Sequence, residues 1–90
     1  LISYAKCTDI LKAIAHPSRL EILYRLNKQD GCNVSKIQEN LGLPQSTISQ
    51  HLKILKNAGV LTSKRKGTIV CYKVKDIEIM KIIEVLRNLE

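Results

Sequence analysis

VSKIQENLGLPQSTISQHLKILKNAGV, residues 34–60, is the stretch on which the reading of this chain turns. Val34, Ile37 and Leu41 recur at steps of three and four, which predicts a short helix over Val34–Leu41 with one buried stripe. Asn33 can cap it by accepting a backbone N–H. Gly42-Leu43-Pro44 is a tight connection, and a second helix follows from Gln45 to Ala58, with Gly59 suited to end it. Ile48, Leu52 and Leu55 put one side of this second helix inward. Two short helices joined by a three-residue turn containing Gly have helix-turn-helix spacing.

The outer side of the second helix carries Gln45, Ser46, Thr47, Ser49, Gln50 and Lys53, and His51 is assigned to the same face as a helix-face or phosphate contact. An ordinary amphipathic surface helix would usually place Glu there, and this one has none. Gln can bond adenine bidentately, Ser and Thr can bond bases or phosphates, and the Thr methyl can meet a thymine methyl. The positive end of the helix dipole favours nearby phosphates. This chemistry suits the major groove of double-stranded DNA.

Downstream, Val60 to Lys66 and Thr68 to Val74 are β-rich around Lys66-Gly67, which predicts a two-stranded hairpin. Lys64, Arg65, Lys66 and Thr68 make its tip basic. Such a wing suits phosphates, with Arg65 the candidate for insertion into a minor groove. Upstream, residues 3–15 read as a helix through Tyr4, Cys7, Leu11 and Ile14. Pro17 opens another helix to about Leu26, with Leu20, Leu23 and Tyr24 on one face. Asp76 to Leu89 is helical again, but Ile77, Ile79, Met80, Ile82, Ile83, Val85, Leu86 and Leu89 are too many for one stripe. A domain of 90 residues has no core deep enough to cover two faces of its last helix, so a second subunit is expected there. Tyr4, Leu11, Ile79, Ile82, Ile83 and Leu86 are the expected dimer contacts. The whole is one domain over residues 1–90, mainly α with a small β-hairpin, in the order α-α-α-α-β-β-α of a winged helix-turn-helix.

Charge supports the same partner. Fifteen Lys/Arg against eight Asp/Glu give +7. Residues 41–75 hold Lys53, Lys56, Lys64, Arg65, Lys66, Lys73 and Lys75 and no acidic residue, while the rest of the chain sums to zero. An excess confined to one segment is the electrostatic footprint of a nucleic-acid binder, whereas a solubilising surface more often mixes both signs.

Other classes find little support. The core must be aliphatic, because Trp and Phe are absent. No apolar run approaches the roughly 18 residues a membrane span needs. There is no Gly-rich phosphate loop, paired carboxylate or nucleophile motif, so no enzyme and no cofactor is expected. Leu1 rather than Met opens the chain, so the native N-terminus is expected upstream. Cys7, Cys32 and Cys71 are odd in number, with no repeated spacing. Reduced thiols in a cytoplasmic protein are therefore expected, with Cys7 and Cys71 read first as small buried hydrophobes.

HPSRLEILYRL, residues 16–26, followed by LPQSTISQHLKILKNAGVLTSKRKGTIVCYKV, residues 43–74, resembles the ArsR/SmtB family of winged-helix transcriptional repressors. The resemblance covers nearly the whole chain in order. STISQHLKILKNAGV is its most specific part, and His16, Pro17 and Arg19 match the opening of the family's second helix. It implies a homodimer paired through the first and last helices, with one recognition helix in each half of a near-palindromic operator. Two metal sites of the family are not matched. The helix before the recognition helix, NVSKIQENLGL, has no Cys-x-Cys. The last segment, DIEIMKIIEVLRNLE, keeps Asp76 but has Glu78 where the first His would stand, and no later His. No metal is therefore expected, and the effector stays open. The family's thiol-sensing pattern, a Cys on the second helix with one on the last, is not met either. Two other readings remain: a thiol-responsive repressor using Cys7 and Cys71, and a winged-helix protein-interaction module.

Overall fold

Most helices begin where a side chain can close the first turn. The computed structural model describes residues 2–90; Leu1, the start without Met, lies outside the described residues. Its elements are α1 (Tyr4–Ile14), α2 (Pro17–Lys28), α3 (Val34–Leu41), α4 (Gln45–Asn57), β1 (Leu61–Lys66), β2 (Ile69–Val74) and α5 (Ile77–Arg87). Ser3 accepts the Lys6 N–H before α1, and Asn33 accepts the Lys36 N–H at 3.3 Å before α3. His16 Nδ1 accepts the Ser18 N–H at 3.1 Å, with Pro17 at the first helical position. Gly42 ends α3 in the left-handed conformation, φ 67°, which a side chain would strain and which lets the chain turn at once into α4.

Helix α2 runs through the middle and packs against α1, α3, α4, α5 and β2. Its Ile22 and Leu23 are fully enclosed with Ile37 of α3, Ile48 and Leu55 of α4, and Val60. Leu20 and Tyr24, expected inward with Leu23, are half-buried at the edge of this core.

The apolar surplus of α5 divides between two faces. Ile79, Met80 and Ile83 are buried in the protomer's own core. This corrects the expectation that Ile79 and Ile83 face a partner: they are four residues apart and lie on the stripe that covers α2 and β2. Ile82, Val85, Leu86 and Leu89 stay exposed, as do Tyr4 and Leu11 of α1.

β1 and β2 form an antiparallel ribbon in which Lys64 faces Cys71, Arg65 faces Val70 and Lys66 faces Ile69. Gly67 takes φ 63° in the two-residue turn. Strand alternation separates the tip residues. Lys64 and Lys66 share one face with Lys73, and Arg65 lies on the other.

The outer edge of β2 meets the turn between α2 and α3. The Tyr72 N–H donates to the Gly31 carbonyl at 3.0 Å, and a Cβ on Gly31 would overlap the Tyr72 carbonyl. Cys32 is disulfide-bonded to Cys71 across this approach, with Cα atoms 4.0 Å apart. The expectation of reduced thiols is corrected here. Residues 39 positions apart in sequence are brought together by the turn docking on a strand edge, which no local spacing records. In the chain-entropy account, closing such a loop stabilises the fold by about 4 kcal/mol. Cys7, expected buried, is exposed on α1 and free.

Gly31→Ala should push β2 off the turn. We expect a loss of about 1–3 kcal/mol, typical of overpacking against backbone, measured as a lower urea midpoint at unchanged m-value. A midpoint equal to that of the parent would show that the approach yields without cost.

Candidate nucleic-acid interface

Helix α4 supplies most of the site, and its N-terminal half is built differently from those of α1, α2 and α3. It starts at Pro44, which has no side chain able to cap the first amides. Gln45, Ser46, Ser49, Gln50 and Lys53 are exposed along it, and Thr47 is half-buried. These are the residues expected on the outer face, and the fold brings them onto one side of the helix while Ile48, Leu52 and Leu55 hold the other side in the core.

His51 is the exception, and its assignment to the outer face is corrected. It is only 9% exposed. Its position, three after Ile48 and four before Leu55, puts it on the buried stripe; that spacing was a usable signal. Its Nδ1 lies 3.3 Å from Arg19 Nη1, and its ring centroid lies 4.7 Å from that of His16. Arg19 also donates from Nε to the Ala13 carbonyl at 2.6 Å. One guanidinium therefore ties the end of α1 to the middle of α4. Arg19 thus positions α4, a role that reading along the sequence did not assign to it.

The His16 Nδ1 accepts the Ser18 N–H, and the His51 ring faces an arginine. Burial, then the neighbouring His16 and Arg19, lower the His51 pKa below its ordinary 6.5. Above about pH 6.5 both the folded and the unfolded chain keep the ring neutral, and this contribution to stability is complete. As the pH falls below 6.5 the unfolded chain takes up the proton first, so stability drops until the folded pKa is passed. Denaturant midpoints should therefore fall between about pH 7.5 and about pH 5.5 in the parent and fall less in His51→Gln. Equal slopes in the two proteins would show that His51 does not carry the effect.

The wing is the second exposed element. Lys64, Arg65, Lys66 and Thr68 are all exposed. The ion pairs of the described residues, Glu21–Arg25, Lys28–Glu84, Glu78–Lys81 and Glu84–Arg87, lie on α2 and α5. Among the described residues none of the seven cations between positions 41 and 75 is paired with a carboxylate, so their charge faces solvent uncompensated. Cys7 and Cys71 are not brought together as a thiol pair, since Cys71 is bonded to Cys32. Among the described residues no three His, Cys, Asp or Glu side chains are grouped to hold a metal ion, and no helix is long and apolar enough to cross a membrane.

Among the described residues, five helices, a two-stranded hairpin and a helix-turn-helix with a polar, acid-free outer face make a winged helix-turn-helix fold. Residues 16–63, more than half of the chain, match the model of the bacterial regulatory protein arsR family, and the chain belongs to that family of transcriptional regulators. It is 40% identical over 86 residues to an uncharacterised helix-turn-helix transcriptional regulator of Methanocaldococcus jannaschii, covering 96% of this chain and 97% of that one. It is 38% identical over 82 residues to the transcriptional repressor PagR of Bacillus anthracis, covering 91% of this chain and 82% of the relative. The PagR crystal structure superposes with a TM-score of 0.80. The homodimeric winged helix-turn-helix DNA-binding domain of a possible ArsR-family regulator from Mycobacterium bovis superposes with a TM-score of 0.81 at 25% identity, covering 94% of this chain and 78% of that one.

Proposed function

We propose that this chain is a sequence-specific DNA-binding repressor that acts as a homodimer on a near-palindromic operator, with residues 1–90 serving as one DNA-binding and dimerisation domain. The observation that carries the proposal is the exposed polar side of the first half of α4 together with the exposed basic wing, with no carboxylate between residues 41 and 75. Gln45, Ser46, Thr47, Ser49 and Gln50 read base edges, Lys53 and the wing lysines hold phosphates, and Arg65 is left to the minor groove. A protein-interaction module would not need a recognition face of a single sign.

Dimerisation through α1 and α5 is supported by the exposed Tyr4, Leu11, Ile82 and Leu86, and by the homodimeric state of the M. bovis relative. The two usual metal sites of the family are lost with the residue changes at α3 and after Asp76, so the signal that releases DNA is not a metal bound at either.

Selection of bound duplexes from a random pool should enrich a sequence with inverted half-sites. Gln50→Ala should then cost about 1–3 kcal/mol on that duplex and much less on random DNA. Equal loss on both would make Gln50 a backbone contact, and failure to enrich any sequence would remove the sequence-specific reading.

A further inference from the structure

The Cys32–Cys71 pair sits at the joint between the wing and the helix-turn-helix. Cys32 immediately precedes Asn33, the cap of α3, and Cys71 stands in the middle of β2 opposite Lys64. Among the described residues the backbone hydrogen bond between this turn and the outer edge of β2 is the one from Tyr72 to Gly31, while Tyr72 and Val74 pack against the core from the other face of the strand. Both cysteines are half-buried, within reach of a small thiol. Cys71 shares its face of the ribbon with Lys64, Lys66 and Lys73, and the thiolate is the species that exchanges with disulfides.

We propose that Cys32 and Cys71 form a reversible dithiol–disulfide couple that sets the position of the wing, and through it the affinity for DNA. The proposal rests on the DNA-binding reading above. In the forward direction the thiolate of one cysteine attacks a low-molecular-weight disulfide such as glutathione disulfide. A mixed disulfide forms and one glutathione thiolate leaves. The second cysteine then attacks the protein sulfur of the mixed disulfide and expels the second glutathione. The protein loses two electrons and two protons, and one glutathione disulfide becomes two thiols. Reduction by excess glutathione reverses each step.

The bonded state is the one in which the wing is fixed against the turn that leads into α3. Breaking the bond frees the turn-facing edge of β2 while Tyr72 and Val74 still pack on the core, so the outer part of the hairpin must be ordered when it docks on phosphates. Ordering a segment on binding lowers affinity, here by about tenfold. The wing is assigned to phosphates, so the difference should appear on DNA of any sequence.

The test uses the full chain poised in glutathione buffers of varied redox ratio, with alkylation and mass spectrometry reporting which thiols are free. Affinity for a mixed-sequence duplex is read by anisotropy at each poise. The expected result is a loss of about tenfold on reduction, tracking the appearance of free Cys32 and Cys71. It should be unchanged in Cys7→Ser and absent in the Cys32→Ser, Cys71→Ser double variant, which should bind like the reduced parent under all buffers. Equal affinity of oxidised and reduced parent, both binding, would overturn the couple and leave the DNA-binding reading intact. So would alkylation of Cys32 and Cys71 at every poise. Failure of both forms to bind any duplex would overturn the DNA-binding reading and the couple together.

Discussion

Replacing Lys64 and Lys66 with Ala should make the salt dependence of DNA binding shallower by about 3 to 4 units in log affinity against log salt. The two side chains lie on the same exposed face of the ribbon, and no carboxylate is paired with them among the described residues. In a homodimer the substitution removes four charges, and each phosphate contact contributes a slope of about 0.9 through counterion release. Between about 50 and about 200 mM salt the parent should therefore lose roughly a hundredfold more affinity than the variant. The loss should be the same on specific and random duplexes, because phosphates carry no sequence. Arg65 lies on the opposite face of the ribbon, so Arg65→Ala should instead weaken binding most on A·T-rich flanks, where a narrow minor groove attracts a guanidinium. An unchanged slope in the lysine double variant would mean that the wing does not touch DNA, leaving Lys53, Lys56 and the strand lysines to account for the basic surplus.

The second large effect is expected at α5. Light scattering of the parent at micromolar concentration should give about 20 kDa, twice the 10.2 kDa of one chain. Ile82→Asp should convert this to the mass of one chain while leaving the helical circular dichroism in place. Ile82 is 43% exposed in the protomer, so its own fold does not need it. Across a two-fold axis the substitution enters twice, and burying an unpaired carboxylate costs at least about 2 kcal/mol per copy, roughly a thousandfold in dimer affinity. Ile83→Asp should behave differently and unfold the chain, because Ile83 is 4% exposed and packs on the protomer core. A parent that runs as a monomer, or an Ile82→Asp protein that stays at the dimer mass, would count against pairing through this face.

Local chemistry along the chain was enough to place each element. Asn33, Gly42, Pro17 and Gly67 sit where caps and turns require them, and periods of three to four or of two separate helix from strand. The observed elements begin and end within about two residues of those expectations, the scatter usual at frayed ends. The polar face of α4 and the acid-free segment 41–75 were also legible, since both depend only on which residues occur at which spacing.

Three features needed the folded chain. The stripe of α5 that faces inward could not be chosen from its pattern, because apolar residues occupy both sides; the angle at which α5 lies on α2 and β2 makes Ile79 and Ile83 core and leaves Ile82 and Leu86 outside. His51 has a polar ring, yet its position on the buried stripe is made tolerable by Arg19 and His16, which arrive from another helix and its cap. Cys32 and Cys71 meet because the turn before α3 docks on the free edge of β2, with Gly31 small enough to let the backbones touch. Periodicity and capping are properties of neighbours in sequence, so the sequence by itself determined the elements, the outer face of α4 and the charge that surrounds it. Contacts between residues tens of positions apart depend on how those elements are placed against each other, and only the tertiary structure decided the disulfide, the histidine–arginine tie and the side of α5 left open to a partner.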